Sequence, residues 1–118
     1  MIRIKRIYEA VSQDDGFRVL VDRLWPRGLK KEQAQIQLWL KEIAPSAALR
    51  KWFDHEAEKW ATFKNSYTQE LSTNKAVKQL VDAYKKHPNM TLLYAAREQQ
   101  YNHALVLQDF LIQKMALS

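Results

Sequence analysis

The 118-residue chain contains no cysteine. That absence removes disulfides, a thiolate nucleophile and every zinc site built on thiolates. Glycine occurs only at positions 16 and 28. Neither precedes Lys-Ser or Lys-Thr, so the chain has no phosphate-binding loop, and the dinucleotide fingerprint is missing for the same want of glycines. No serine sits in a nucleophile-elbow context. No cofactor is therefore expected. Of the three histidines, His55 and His103 are too few and too isolated in sequence to argue a metal site, and His87 belongs to a solvated, helix-ending turn. No apolar run approaches the length that spans a bilayer. The segment Met1 to Tyr8 alternates apolar and basic residues instead of supplying the apolar core of a secretory signal. A cytoplasmic protein with no membrane partner is expected.

Hydrophobic residues make up 47% and charged residues 27% of the chain, the balance of a folded globular protein. At this length one α/β domain covering residues 1–118 buries an adequate core without covalent staples. Nineteen Lys and Arg against 13 Asp and Glu give a net charge of +6. The excess is spread over Lys30-Lys31, Arg50-Lys51 and Lys85-Lys86, which makes anionic small molecules the first partners to consider and nucleic acid a weaker one.

The run Arg18-Val-Leu-Val21 is continuously apolar after its arginine, the pattern of a strand covered on both faces. It delivers Asp22 and Arg23 to its carboxyl end. Pro26 stops the strand by withholding a donor, and Gly28 permits a turn. Ile2, Ile4 and Ile7 alternate with basic residues in an edge-like first strand, and Thr91 to Ala96 reads as a second buried strand. The eight-residue loop from Glu9 to Gly16 leaves the pairing direction of the first two strands open.

Helical spacing of Ile36, Trp39, Leu40 and Ile43 predicts an amphipathic helix over residues 31–44. Ser46 caps a short helix that turns Leu49, Trp52 and Phe53 inward, and Asp54 is placed to cap the next, residues 56–72, with Trp60, Phe63, Tyr67 and Leu71 inward. Asn74 or Thr73 caps a further helix ended by His87-Pro88-Asn89. Asn102 caps the last, which is apolar around most of its girth and so packs on the sheet or in a homo-oligomer interface. Trp39, Trp52 and Trp60 are expected in the core. The resulting fold class is α/β: a small, mostly parallel sheet of about three strands packed with about five helices.

If the two buried strands are parallel neighbours, their carboxyl ends bring Asp22 and Arg23 beside Arg97, Asn102 and His103. Arg23, Arg27 and Arg97 then hold a phosphate or carboxylate next to the start of the last helix, oriented by Asn102 and His103. Trp25 either stacks on a ligand or plugs the rim of the core. Asp22 and His103 are the candidates for proton transfer. The plainer reading is that Asp22 pairs with Arg23 or Arg97 to neutralise a buried strand end.

The stretch from Arg18 to Gly28, Trp52-Phe53 with His55, then Trp60, Phe63, Tyr67, Glu70 and Leu71, and finally Leu92-Leu-Tyr-Ala-Ala96 with Asn102-His103-Ala104, resembles the YeaO-like family of domains of unknown function. The resemblance runs over nearly the whole chain and implies a small bacterial-type cytosolic α/β domain without an assigned activity. Longer relatives of the same broad group carry a cysteine-containing segment where this chain has Ala95-Ala96 and Asn102-His103, so their thiol chemistry does not transfer to it.

Three functions are consistent with these residues. The first is a binding domain for a phosphorylated or other anionic ligand at the carboxyl ends of its strands. The second is an enzyme acting on an anionic substrate through Asp22 or His103. The third is a basic nucleic-acid or protein-interaction module using Trp25.

Overall fold

The computed structural model describes residues 1–116. Among them, β1 (Ile2–Arg6), β2 (Phe17–Leu20), β3 (Leu38–Trp39) and β4 (Met90–Tyr94) form one sheet in the order β1-β4-β2-β3, with every pairing parallel. The first two strands are thus not partners: β4 lies between them, pairing Leu92 with Ile4 on one side and Val19 on the other. Parallel central strands covered on both faces account for the unbroken apolar runs. Val19, Leu20, Val21, Leu92 and Leu93 are fully buried.

The two faces are covered unequally. Val19, Val21, Leu92 and Tyr94 meet α2 (Ala47–Phe53), α3 (Trp60–Ser72), α4 (Ala76–Lys86) and α5 (His103–Ala116) in the main core. Leu20 and Leu93 meet Ile7, Ala95 and the segment that carries Trp25, Leu29, Ala34 and Ile36. Helix α3 buries Phe63, Tyr67 and Leu71 at four-residue steps, as its spacing predicts. Helix α5 packs on β1, β4 and α3 through Ala104, Val106, Leu107 and Leu111.

The helix expected over residues 31–44 does not form. Helix α1 is only Lys31–Ala34, because Gln35 takes a left-handed conformation (φ 46°) and ends it. The chain then runs extended beside β2, with the Gln37 amide donating to Arg18 O and the Leu40 amide to Leu20 O, both at 2.9 Å. The helical spacing is coincidental: Leu40 and Ile43 enter the main core, while Ile36 packs on the opposite face. Trp39 is 36% and Trp52 43% exposed, so neither is a core residue; each lies under a lysine, Lys41 and Lys59. Trp60 is half-buried against the core.

Capping follows the sequence except at one point. Ser46 Oγ accepts from the Leu49 amide at 3.2 Å, and Asn74 Oδ1 from the Ala76 amide at 2.9 Å. Asp54, expected to start α3, instead ends α2 in a left-handed conformation, and α3 is entered through the 3₁₀ turn Ala57–Lys59.

At the amino end of the sheet, Arg18 is buried and fully engaged. It pairs with Asp15 and donates to Ala34 O and Gln35 O. Lys5 adds a second ion pair to Asp15 at 3.0 Å, and Thr91 Oγ1 donates to Asp15 O. Burial raises the Asp15 carboxyl, but the Ser12 amide and the Lys5 and Arg18 cations outweigh it and hold the group below its ordinary value.

Candidate functional site

A cavity of about 310 Å³ opens at the carboxyl ends of β2 and β4. This is where parallel sheets ordinarily place ligands. Its walls come from the segment after β2 (Asp22 to Arg27), the end of β4 (Ala95 and Ala96), the Ala44-Pro45 turn, helix α2 with the following His55, and the first residue of α5.

Asp22 knots these elements together. Its Oδ2 accepts from the Ala95 amide at 2.9 Å, and its carbonyl accepts from Trp39 Nε1 at 2.8 Å, so one residue joins the ends of β2, β4 and β3. His103 Nε2 lies 3.1 Å from both Val21 O and Asp22 Oδ1. A carbonyl only accepts, so Nε2 carries the proton. Its single N–H is directed at the carbonyl, which leaves Asp22 Oδ1 buried without an aligned donor. Asp22 is therefore partnered by the Ala95 amide rather than by Arg23 or Arg97, the partners expected from sequence, with the His103 imidazole alongside.

Arg23 is exposed and donates through Nη2 to Ala44 O and Pro45 O at 3.3 Å, holding the turn before α2 against the strand end. The start of α2 is gripped from the other side by Glu70 of α3, whose two carboxylate oxygens accept from the Ser46 amide at 2.9 Å and Ser46 Oγ at 2.7 Å. These bonds orient the helix that carries Arg50 and Phe53 into the cavity wall. Phe53 stacks on Phe63 with ring centres 4.2 Å apart. Beneath them the Tyr67 hydroxyl donates to Ile43 O at 2.7 Å; burial, reinforced by the Glu70 and Asp22 charges, pushes its pKa well above the ordinary value, so it stays a neutral donor.

Trp25 is half-buried, donates to Leu29 O and meets Trp39 edge to face at 5.5 Å. It is therefore both a plug of the smaller core and a cavity wall. Arg27 follows at the rim, its carbonyl accepting from Tyr8 Oη at 2.8 Å.

Two of the expected contacts lie elsewhere. Asn102 is fully buried, with Nδ2 bonded to Glu98 O and Gln99 O and Oδ1 accepting from the Leu105 amide, so its side chain is consumed in capping α5. Arg97 is exposed and does not line the cavity. Conversely, sequence reasoning did not place Arg50, His55 or Tyr8 at the site. Arg50 carried no motif, but helical spacing on the capped α2 puts it one turn past Ser46. His55 follows Asp54 in a second consecutive left-handed conformation (φ 45° and 55°), and its Nδ1 donates to Tyr101 O at 3.0 Å. Paired left-handed non-glycine residues are strained, and only tertiary packing reveals them.

The lining side chains hold three arginines, two histidines and a single carboxylate, itself engaged. Its cationic arginines thus outnumber its carboxylate three to one. Among the described residues, no three His, Asp or Glu side chains converge as a metal-binding group, and no helix is long and apolar enough to cross a membrane.

Residues 1–118 match the model of the family described as the inactive DUF488-N3 subclade. The chain belongs to that family. It is 50% identical to the uncharacterised protein YeaO of Escherichia coli over 111 residues, 93% of this chain and 96% of YeaO, in agreement with the YeaO-like resemblance. Uncharacterised proteins of Mycobacterium tuberculosis and Mycobacterium bovis are each 37% identical over 110 residues, covering 93% of this chain and 92% of their own. No solved structure matches the chain.

Proposed function

We propose that this protein is a cytoplasmic, single-domain binder of a phosphorylated or otherwise anionic small molecule, held in the cavity at the carboxyl ends of β2 and β4. The observation that carries this reading is that Arg23, Arg27 and Arg50 all line a concave wall that holds a single carboxylate, Asp22. Arginine is suited to this work because its planar fork meets phosphate or carboxylate oxygens two at a time.

The competing enzymatic reading assigns proton transfer to Asp22 or His103. Each has a structural bond instead: Asp22 Oδ2 ties the end of β2 to the Ala95 amide after β4, and His103 Nε2 ties α5 to Val21 O. The description of the matching subclade as inactive also favours binding over turnover.

Thermal denaturation with phosphate and sulfate tests the reading. A ligand a hundredfold above its dissociation constant stabilises a fold by about 2.7 kcal/mol. Wild type should gain melting temperature with either anion, and Arg50→Gln should gain less. The absence of a shift with any anion overturns the proposal; equal shifts in both proteins move the site away from Arg50.

A further inference from the structure

The cavity is larger and more apolar than a bare anion requires. Beside its arginines stand the indole of Trp25, the ring of Phe53, Leu24 and the buried prolines Pro26 and Pro45. A volume of about 310 Å³ lies at the small end of the roughly 300–1,000 Å³ range that holds organic ligands. An inorganic ion at the arginines leaves the exposed Leu24 and the half-buried Trp25 facing water. A ligand that covers them with a flat, apolar body uses both halves of the site.

We infer that the ligand is a compact aromatic phosphate monoester, whose ring lies against Trp25, Phe53 and the prolines while its phosphate meets Arg23, Arg27 and Arg50. The inference rests on the anion-binding reading and narrows it to one ligand class. The aromatic half has a physical basis in the half-buried indole of Trp25, backed by the edge of the core at Phe53, against which a planar ring packs at low entropic cost because these side chains are already held. Trp25 is fixed by its bond to Leu29 O and by Trp39, and Phe53 by its stack on Phe63. The phosphate half draws on guanidinium groups at the ends of differently rooted segments: Arg23 and Arg27 after β2, Arg50 on α2. Nucleosides and phenols both supply such monoesters.

Isothermal titration calorimetry of the full chain with adenosine monophosphate, phenyl phosphate, inorganic phosphate and adenosine separates the two levels of the argument. At least one aromatic monoester should bind ten times or more tighter than both inorganic phosphate and adenosine, and the tighter of the two monoesters assigns the source. Inorganic phosphate binding as tightly as the monoesters overturns this inference while leaving the anion reading standing. Adenosine binding as tightly as its monophosphate overturns both, as does the absence of heat with all four. Trp25→Leu, checked for an intact fold by circular dichroism, should weaken the monoesters at least fivefold and leave inorganic phosphate unchanged. Equal affinity of wild type and Trp25→Leu for the monoesters removes the aromatic wall from the site and the inference with it.

Discussion

Asp15 and Arg18, three residues apart at the turn into β2, form an ion pair that is buried on both sides, with 7% and 3% of their side chains exposed. The pair links four segments at this end of the sheet. Arg18 holds the end of α1 through Ala34 O and Gln35 O, Asp15 draws in Lys5 from the edge strand, and the Asp15 carbonyl accepts from Thr91 on β4. It anchors the amino end of the sheet, opposite the cavity.

Arg18→Met should therefore destabilise the fold, by less than the roughly 3–5 kcal/mol that stranding a buried charge costs, because Lys5 still pairs with Asp15. Methionine fills much of the volume, so the loss reports the ion pair and its carbonyl contacts more than a cavity. Urea unfolding monitored by tryptophan fluorescence measures it; a midpoint within experimental error of wild type would show the network to be energetically idle.

The depressed Asp15 pKa makes stability depend on pH with a definite sign. An unfolded aspartate titrates near 3.9, and the folded group lies lower because the Ser12 amide and the Lys5 and Arg18 cations overcome its burial. At pH values above the unfolded pKa both states are ionised and the stabilisation is complete. As pH falls below about 3.9 the unfolded chain takes up the proton first, and the contribution fades until the folded pKa is passed. Asp15→Asn should lower stability at neutral pH and flatten this acid limb. Urea midpoints between pH 7 and pH 2 decide the matter, and an unchanged slope removes Asp15 as a contributor.

Gly16 combines a positive φ (63°) with a close backbone approach: a Cβ placed there would collide with Asn89 O. The Phe17 amide bonds to that same carbonyl at 2.9 Å, so the approach aligns β2 with the start of β4. Gly16→Ala should cost about 1–3 kcal/mol for the backbone conformation alone, with the collision adding to it. Gly28 also has a positive φ (74°) but open space around it, so Gly28→Ala should cost less. Thermal melts of the two variants side by side check the ranking.

Glu70 is remote in sequence from every arginine of the cavity, yet it fixes the start of α2 by accepting two bonds from Ser46. Glu70→Ala removes hydrogen bonds to a charged group, typically worth about 1.5–3 kcal/mol. It should also loosen the helix that presents Arg50, so anion affinity should fall although no ligand contact is deleted. A calorimetric titration showing unchanged affinity in a destabilised protein would separate the two effects and leave Glu70 a purely structural residue.

The sequence by itself determined the α/β class, both buried strands and the helices with strong local signals, because continuous apolar runs and four-residue apolar steps are written in neighbouring residues. The expectation that Asp22, Arg23 and His103 meet at the carboxyl ends of the strands depended on parallel pairing of β2 and β4, which the tertiary structure supplies. Tertiary structure decided what local spacing cannot encode. The segment after Gln35 pairs with β2 because open backbone groups on that strand outweigh a weak helical pattern, and it places Trp39 outward with its Nε1 donating to Asp22 O, while Trp52 lies outward under Lys59. Arg50 and His55 join the cavity through a glutamate grip on α2 and two left-handed residues, contacts made between positions far apart in the chain. Asn102 and Arg97 have the right chemistry in sequence, but the geometry of the cap turns one inward and leaves the other outside the cavity wall.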